Sequence, residues 1–274
     1  MYLGRFPRLA LGFAVFVGLA FIYVPLGVVI INSFNASKVF SWPPRELTTR
    51  WWSAALENEG VRAALLTSVK AGLGATVIAI LLGTALSFAL VRYDFFGRST
   101  VNFLVVLPIS LPGIVTGIAL NTSFTTLLQP FGINLGLFTV VLGHATFCIV
   151  VVFNNVSARL RRMGTSLEEA SADLGASMFQ TFRLVTFPQL RSALVAGALL
   201  AFALSFDEIV VTTFTSGPGV QTLPQWIFNN LFRPNQGPIV NAVAALLLIA
   251  FVVPVWLAER MSSAERDTGR TGRR

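Results

Sequence analysis

The sequence predicts an all-α, polytopic membrane protein with six transmembrane helices, and three observations predict it. Of 274 residues, 54% are hydrophobic and only 12% are charged, against about 25% charged in a soluble domain; mean hydropathy is +0.73. The uncharged runs are long enough to cross a bilayer. The basic residues gather on one predicted side. This composition excludes intrinsic disorder, which needs low hydrophobicity and high charge. It also argues against an ordinary soluble enzyme, whose surface would carry large apolar patches. A single cysteine, Cys148, excludes an internal disulfide and a cysteine-rich metal site. A single histidine, His144, excludes H-E-x-x-H chemistry and every multi-histidine metal site.

A membrane helix needs roughly 20 mostly apolar residues. Residues 9–37, 71–91 and 234–258 are free of charge. So are residues 99–158, long enough for two crossings, with a turn signal at Gln129-Pro130-Phe131-Gly132-Ile133-Asn134. The run 192–206 is shorter, roughly 22 Å as a helix. To cross, it must continue through Asp207 and Glu208 to about Phe214, before Ser216-Gly217-Pro218-Gly219 ends it. The spans are therefore about 9–32, 62–91, 100–128, 135–158, 190–214 and 238–258, in one transmembrane domain covering 1–274. The first is read as an uncleaved span, because its apolar stretch exceeds the roughly 7–15 residues of a signal core.

Orientation follows from Lys and Arg in the connections. With the N-terminus inside, fourteen of the twenty basic residues lie on the inner side, five lie outside, and Lys70 lies in the second span. Both termini are expected to be cytoplasmic. The net charge of +8 then records topology and needs no nucleic-acid partner.

Small residues let membrane helices approach closely. Ala71, Ala75, Ala79, Gly83 and Ser87 form such a stripe in the second span, and Ala193, Gly197, Ala201 and Ser205 form one in the fifth. Pro108 and Pro112 in the third span each remove a backbone hydrogen bond, so a bend is expected there.

The inner connection 159–189 carries structure of its own. Ser166 and Glu169 fit an S-x-x-E capping box, and Gly175 stands where a C-terminal cap belongs. Ser177 and Gln180 fit a second box, and Pro188 is expected to end the second helix. Leu167, Ala170, Leu174, Met178, Phe179 and Phe182 give the pair an apolar side that needs a partner surface.

Glu169-Ala170-Ser171, three residues, Gly175, nine residues, then Val185-Thr186-Phe187-Pro188 resembles the EAA loop of binding-protein-dependent ABC importer permeases, E-A-A-x(3)-G-x(9)-I-x-L-P. Glu169, Ala170, Gly175 and Pro188 match; Ser171, Val185 and Phe187 depart from the pattern. Ser41-Trp42-Pro43-Pro44, Tyr93-Asp94-Phe95-Phe96-Gly97-Arg98, Gly143-His144-Ala145-Thr146-Phe147-Cys148 and Leu204-Ser205-Phe206-Asp207-Glu208-Ile209-Val210-Val211 look like segments of the polyamine (spermidine/putrescine) type. Within that group the chain is most similar to the C-type, second permease.

The resemblance implies a type I ABC importer permease fold in a bacterial inner membrane. It implies an ATPase subunit dimer, a second homologous permease and a periplasmic or extracellular substrate-binding protein as partners. Glu168, Glu169, Ala170, Gly175 and Pro188 become the candidate ATPase-coupling residues. The chain has no G-x-x-x-x-G-K-[ST] loop, so it is expected to bind no cofactor itself, ATP and Mg belonging to the partner ATPase.

Asp207 and Glu208 are the only acidic residues within a span. Charge in a bilayer is costly and usually faces water or protein. A cationic substrate would favour carboxylates along its route, so one of the two is a candidate for the path, the other for a cap or ion pair. Adjacent helical residues point about 100° apart, so both cannot face one small site. His144 is a further path candidate, with a helix-to-helix hydrogen bond as the alternative. An ATP-independent secondary transporter is the competing reading, without an evident internal inverted repeat to support it.

Overall fold

A computed structural model describes residues 4–38, 42–233 and 235–252. These residues form helices, turns and loops, with one isolated bridge, Asn35 to Leu47. In order they are α1 (Arg5–Ser33), α2 (Arg50–Glu57), α3 (Glu59–Arg92), α4 (Arg98–Ser110), α5 (Gly113–Leu127), α6 (Leu137–Met163), α7 (Ser166–Asp173) and α8 (Met178–Thr181). There follow a π-helical turn (Phe182–Thr186), α9 (Phe187–Phe206), α10 (Val210–Thr215), α11 (Leu223–Leu231) and α12 (Gly237–Val252). Four helical stretches are long and apolar enough to cross a bilayer, Phe6–Ser33, Glu59–Arg92, Leu137–Met163 and Met178–Phe206, and the pair α4–α5 makes a fifth if read as one bent span. The last expected span coincides with α12 as far as Val252; residues 253–258 lie outside the described residues.

The chain divides into two compact units, Met1–Arg62 with Ile227–Arg274, and Ala63–Trp226. In the first, the segment after α1 folds back on itself. Ala36 N–H donates to Glu46 O and Thr48 N–H to Phe34 O. The indole of Trp51 donates to Asn35 O at 2.9 Å, and Trp52 stacks on Phe34. The short amphipathic helix α2 behind this turn was not expected from hydropathy, and neither was α11.

The second unit is organised around α6. Both small-residue stripes bury there. Ala75, Ala79 and Ala201 join Cys148, Val152, Val156 and Leu160 in one core. A Cβ added to Gly83 would lie 2.9 Å from Ile149 O and 3.1 Å from Phe153 N, so α3 and α6 meet backbone to backbone. Ser87 Oγ, one turn on, donates to Phe153 O at 3.0 Å. From the other side Gly197 lies against Val152, and Cys148 Sγ donates to Ala201 O at 3.3 Å.

Three helix boundaries differ from the sequence reading. The third expected span is two helices, α4 and α5, bent by 107°. The break sits at Leu111-Pro112: Leu111 is extended, as a residue before proline prefers, while Pro108 is accommodated inside α4. Secondly, Pro188 ends nothing. It sits in the first turn of α9, and the helix runs unbroken from Met178 to Phe206. The π turn before it explains this. An α-helical Pro188 would clash with the carbonyl one turn back; the wider turn, with Phe187 N–H donating to Phe182 O, gives the ring room. Thirdly, α9 does not reach Phe214. It stops at Phe206, and α10 begins only at Val210.

Candidate functional site

Two places concentrate the polar chemistry of the second unit. The first is the helical hairpin that follows α6. Thr165, not Ser166, is the N-cap of α7, so the expected Ser166–Glu169 capping box does not form. The second box does: Gln180 N–H donates to Ser177 Oγ, and Ser177 N–H to Gln180 Oε1 at 2.7 Å. Gly175, at φ +84°, makes the turn between α7 and α8. Around it Ala176 N–H donates to Ser171 O and Gly175 N–H to Ala172 O, which closes the end of α7.

Glu168 faces inward. Its Oε1 accepts from Arg92 Nη2 at 3.2 Å and from Thr186 Oγ1 at 2.9 Å. Arg92 Nε lies 3.1 Å from Oε2, an electrostatic contact not aligned as a hydrogen bond. The same guanidinium donates to Gly164 O at 2.7 Å. Arg92 closes α3, so one side chain ties α3, the start of the hairpin and, through Glu168, the π turn. Glu169, Ala170, Gly175 and Pro188 are exposed, as is most of the apolar side formed by Leu167, Leu174, Met178, Phe179 and Phe182. Between α3 and the hairpin lies an open groove of about 890 Å³, walled by Phe88, Tyr93, Met178, Phe179 and Phe182 with Glu169 at its edge.

The second place is the gap between α9 and α10. Asp207 caps the end of α9 and is exposed; among the described residues its carboxylate has no hydrogen-bond or ion-pair partner. Glu208 Oε1 accepts from Val211 N–H at 2.8 Å and so holds the first turn of α10. The two carboxylates, which periodicity alone could not assign, have separate jobs. The turn at the start of α5 lies beside this gap, with Gly113 packed on Val210, and Asn121 Nδ2 donates to Phe214 O at 2.6 Å. His144 is fully buried in α6, with both ring nitrogens bonded, to Ser205 Oγ at 2.7 Å and Thr212 Oγ1 at 2.9 Å. It is a helix-to-helix tie, and the structure does not place it on an open path.

A sequence model described as binding-protein-dependent transport system inner membrane component matches residues 75–262, which include the hairpin and the gap. The chain belongs to this family. The permease is 34% identical over 265 residues to the putrescine transport system permease protein PotI of Escherichia coli (strain K12), covering 93% of each chain. It is 34% identical over 254 residues to the spermidine/putrescine transport system permease protein PotC of the same strain, covering 92% of this chain and 93% of that one. A bacterial ABC transporter involved in the import of the acidic polysaccharide alginate shares the fold, with a TM-score of 0.67 over 96% of this chain and 99% of that one, at 15% identity. This permease is thus a multi-pass membrane protein with the type I permease fold.

Two residues of the permease escaped the sequence reading. In the sequence Arg92 is one of fourteen basic residues of the inner side, and Thr186 is the variable position of the loop pattern. Nothing in sequence spacing signals that they meet at Glu168, since 76 residues separate Arg92 from it.

Proposed function

We propose that this chain is a permease subunit of an ATP-driven importer of a small organic cation of the polyamine class. It would form the translocation path with a second, homologous permease, both termini cytoplasmic. The relatives named for putrescine and spermidine, aligned over nearly the whole chain, support the cargo. The observation that carries the mechanism is the hairpin of α7 and α8: an apolar, exposed element held rigidly to α3 by Arg92 and Glu168. An exposed apolar face on a charged, water-side loop needs a protein to cover it. The ATPase dimer is that protein, and it would hold the ATP and Mg. Ala170 and Gly175 are exposed on this element, Glu169 is exposed beside its groove, and Pro188 is exposed at the start of α9, where contact would be made. Glu168 acts from inside the hairpin.

At the other place, Asp207 presents a carboxylate, unpaired among the described residues, at the end of a broken helix, beside the negative end of the α9 dipole. Discontinuous membrane helices place binding groups in this way in other transporters. A substrate-binding protein would deliver the cation to this path.

Reconstitution tests the proposal. Vesicles holding this permease, its homologous partner and the ATPase, with the binding protein outside, should take up labelled putrescine or spermidine only with ATP inside. Uptake by this chain alone, without ATP, would establish the secondary transporter instead. Mass spectrometry of the small molecule that co-purifies with the binding protein checks the cargo separately.

A further inference from the structure

We infer that His144 is a positioning residue that fixes the gap between α9 and α10 and thereby the direction in which Asp207 is presented. The inference rests on the path reading of Asp207 for its functional meaning, but its geometry stands apart from it. Ser205 is the second-last residue of α9 and Thr212 the third of α10, so the two bonds of the ring straddle Asp207, Glu208 and Ile209.

The hydrogen-bond roles are determined by neighbours. Thr212 Oγ1 donates its one proton to Glu208 O at 2.8 Å. It can therefore only accept from His144, which puts the ring proton on Nε2. Nδ1 then accepts from the Ser205 hydroxyl. A directed chain results, from Ser205 through His144 and Thr212 to the Glu208 carbonyl inside the gap. All three side chains are buried, at 0% to 2% exposure, so none has water as a substitute. Cys148, one turn along the same face of α6, anchors α9 at Ala201 O. The α9 helix is thus held below the gap while His144 sets its last turn against α10.

Loss of the ring removes the acceptor of the buried Ser205 hydroxyl and the donor to Thr212 Oγ1, which keeps its bond to Glu208 O, a cost that favours rearrangement. Asp207 N–H already closes the last turn of α9 on Ala203 O, so rewinding α9 through residues 207–209, or splaying α10 away, would redirect the chain beyond Asp207 and change what flanks and covers its side chain.

The test measures the direction of position 207 without relying on transport. In the assembled transporter with Cys148→Ala, Asp207→Cys supplies the only cysteine of this chain, and a small water-soluble methanethiosulfonate reports its exposure. His144→Leu should change the labelling rate about tenfold, the scale of one or two lost buried hydrogen bonds. His144→Gln keeps one acceptor and one donor and should restore the rate to within about twofold. Where His144→Leu fails to assemble, the double variant His144→Leu, Ser205→Ala removes the hydroxyl that lost its partner, while Thr212 keeps its bond to Glu208 O, and gives the same comparison. Equal labelling in all backgrounds would overturn the inference. In the Asp207 background, His144→Leu should also raise KM for uptake, with His144→Gln rescuing it. If Asp207→Asn leaves uptake unchanged while labelling responds to His144, the path reading fails and the positioning role stands.

Discussion

Arg92 and Glu168 meet through two atom pairs, Nη2 to Oε1 at 3.2 Å and Nε to Oε2 at 3.1 Å, and each side chain is largely shielded, at 12% and 22% exposure. The pair converts the end of a long helix and a short surface hairpin into one body. A force on the hairpin reaches α3 through this contact without passing along the intervening chain.

Arg92→Ala should therefore cost about 1–3 kcal/mol of local stability, because it strands a partly shielded carboxylate and the Gly164 carbonyl. Transport should fall while insertion is retained. Arg92→Lys restores charge but not the fork that reaches both oxygens and Gly164, and should recover part of the loss. ATP-driven uptake against ATPase co-purification separates coupling from assembly.

Gly175 tests the turn. Nothing lies within 4 Å of a Cβ placed there, so space is not the constraint; the φ of +84° is. Gly175→Asn should be tolerated, whereas Gly175→Val should misdirect α8, with a backbone penalty of about 1–2 kcal/mol. Gly175→Asp adds a charge to the proposed contact face and should uncouple or disassemble the complex. Normal transport and ATPase co-purification in Gly175→Asp would refute the docking role.

Gly83 tests the packing of α3 on α6. The atoms an added Cβ would meet there include backbone of Ile149 and Phe153, which cannot rotate away. Gly83→Ala should lower stability by about 1–3 kcal/mol. Gly27→Ala in α1, where nothing lies within 4 Å, should be neutral or slightly stabilising. Thermal unfolding in detergent reads both.

Asp207 and Glu208 should separate on neutralisation. Glu208→Gln keeps the oxygen that accepts from Val211 N–H, so the start of α10 and transport should be nearly preserved. Asp207→Asn removes an exposed negative charge that has no partner among the described residues, so assembly should be unaffected and uptake of a divalent or trivalent cation should fall about tenfold or more. Initial uptake rates in vesicles with each variant decide it.

The sequence revealed what one-dimensional periodicity can carry. The small-residue stripes are read from spacing alone, and both bury on α6 as α3 and α9 require. Gly175 and the Ser177–Gln180 box were legible because caps are local. What stayed hidden depends on pairs distant in the chain or on competition between local signals. Pro188 reads as a stop, yet a π turn absorbs it. Glu168 and Glu169 look equivalent as neighbours, yet among the described residues Glu168 is the one paired with an arginine. The run after Arg191 was expected to continue because a bilayer is thick; the carboxylate of Glu208 takes Val211 N–H and the Thr212 hydroxyl takes Glu208 O, so the backbone at the gap has other partners and the helix is free to stop.

The stretch Met178–Phe206 is a single helical rod of 29 residues, about 43 Å long, with the proposed docking end at one tip and Asp207 at the other. Its π turn at Phe182–Thr186 holds one residue more than an α turn would accommodate, so it sets the angular phase between the two tips. Removing one residue from that turn would twist Asp207 by about 100° relative to Met178 and Phe179 and would set the Pro188 ring against the carbonyl one turn back. The loop and the gap are in this sense indexed to each other, like two keys cut on one shaft, and Pro188, which needs the wider turn, locks the index.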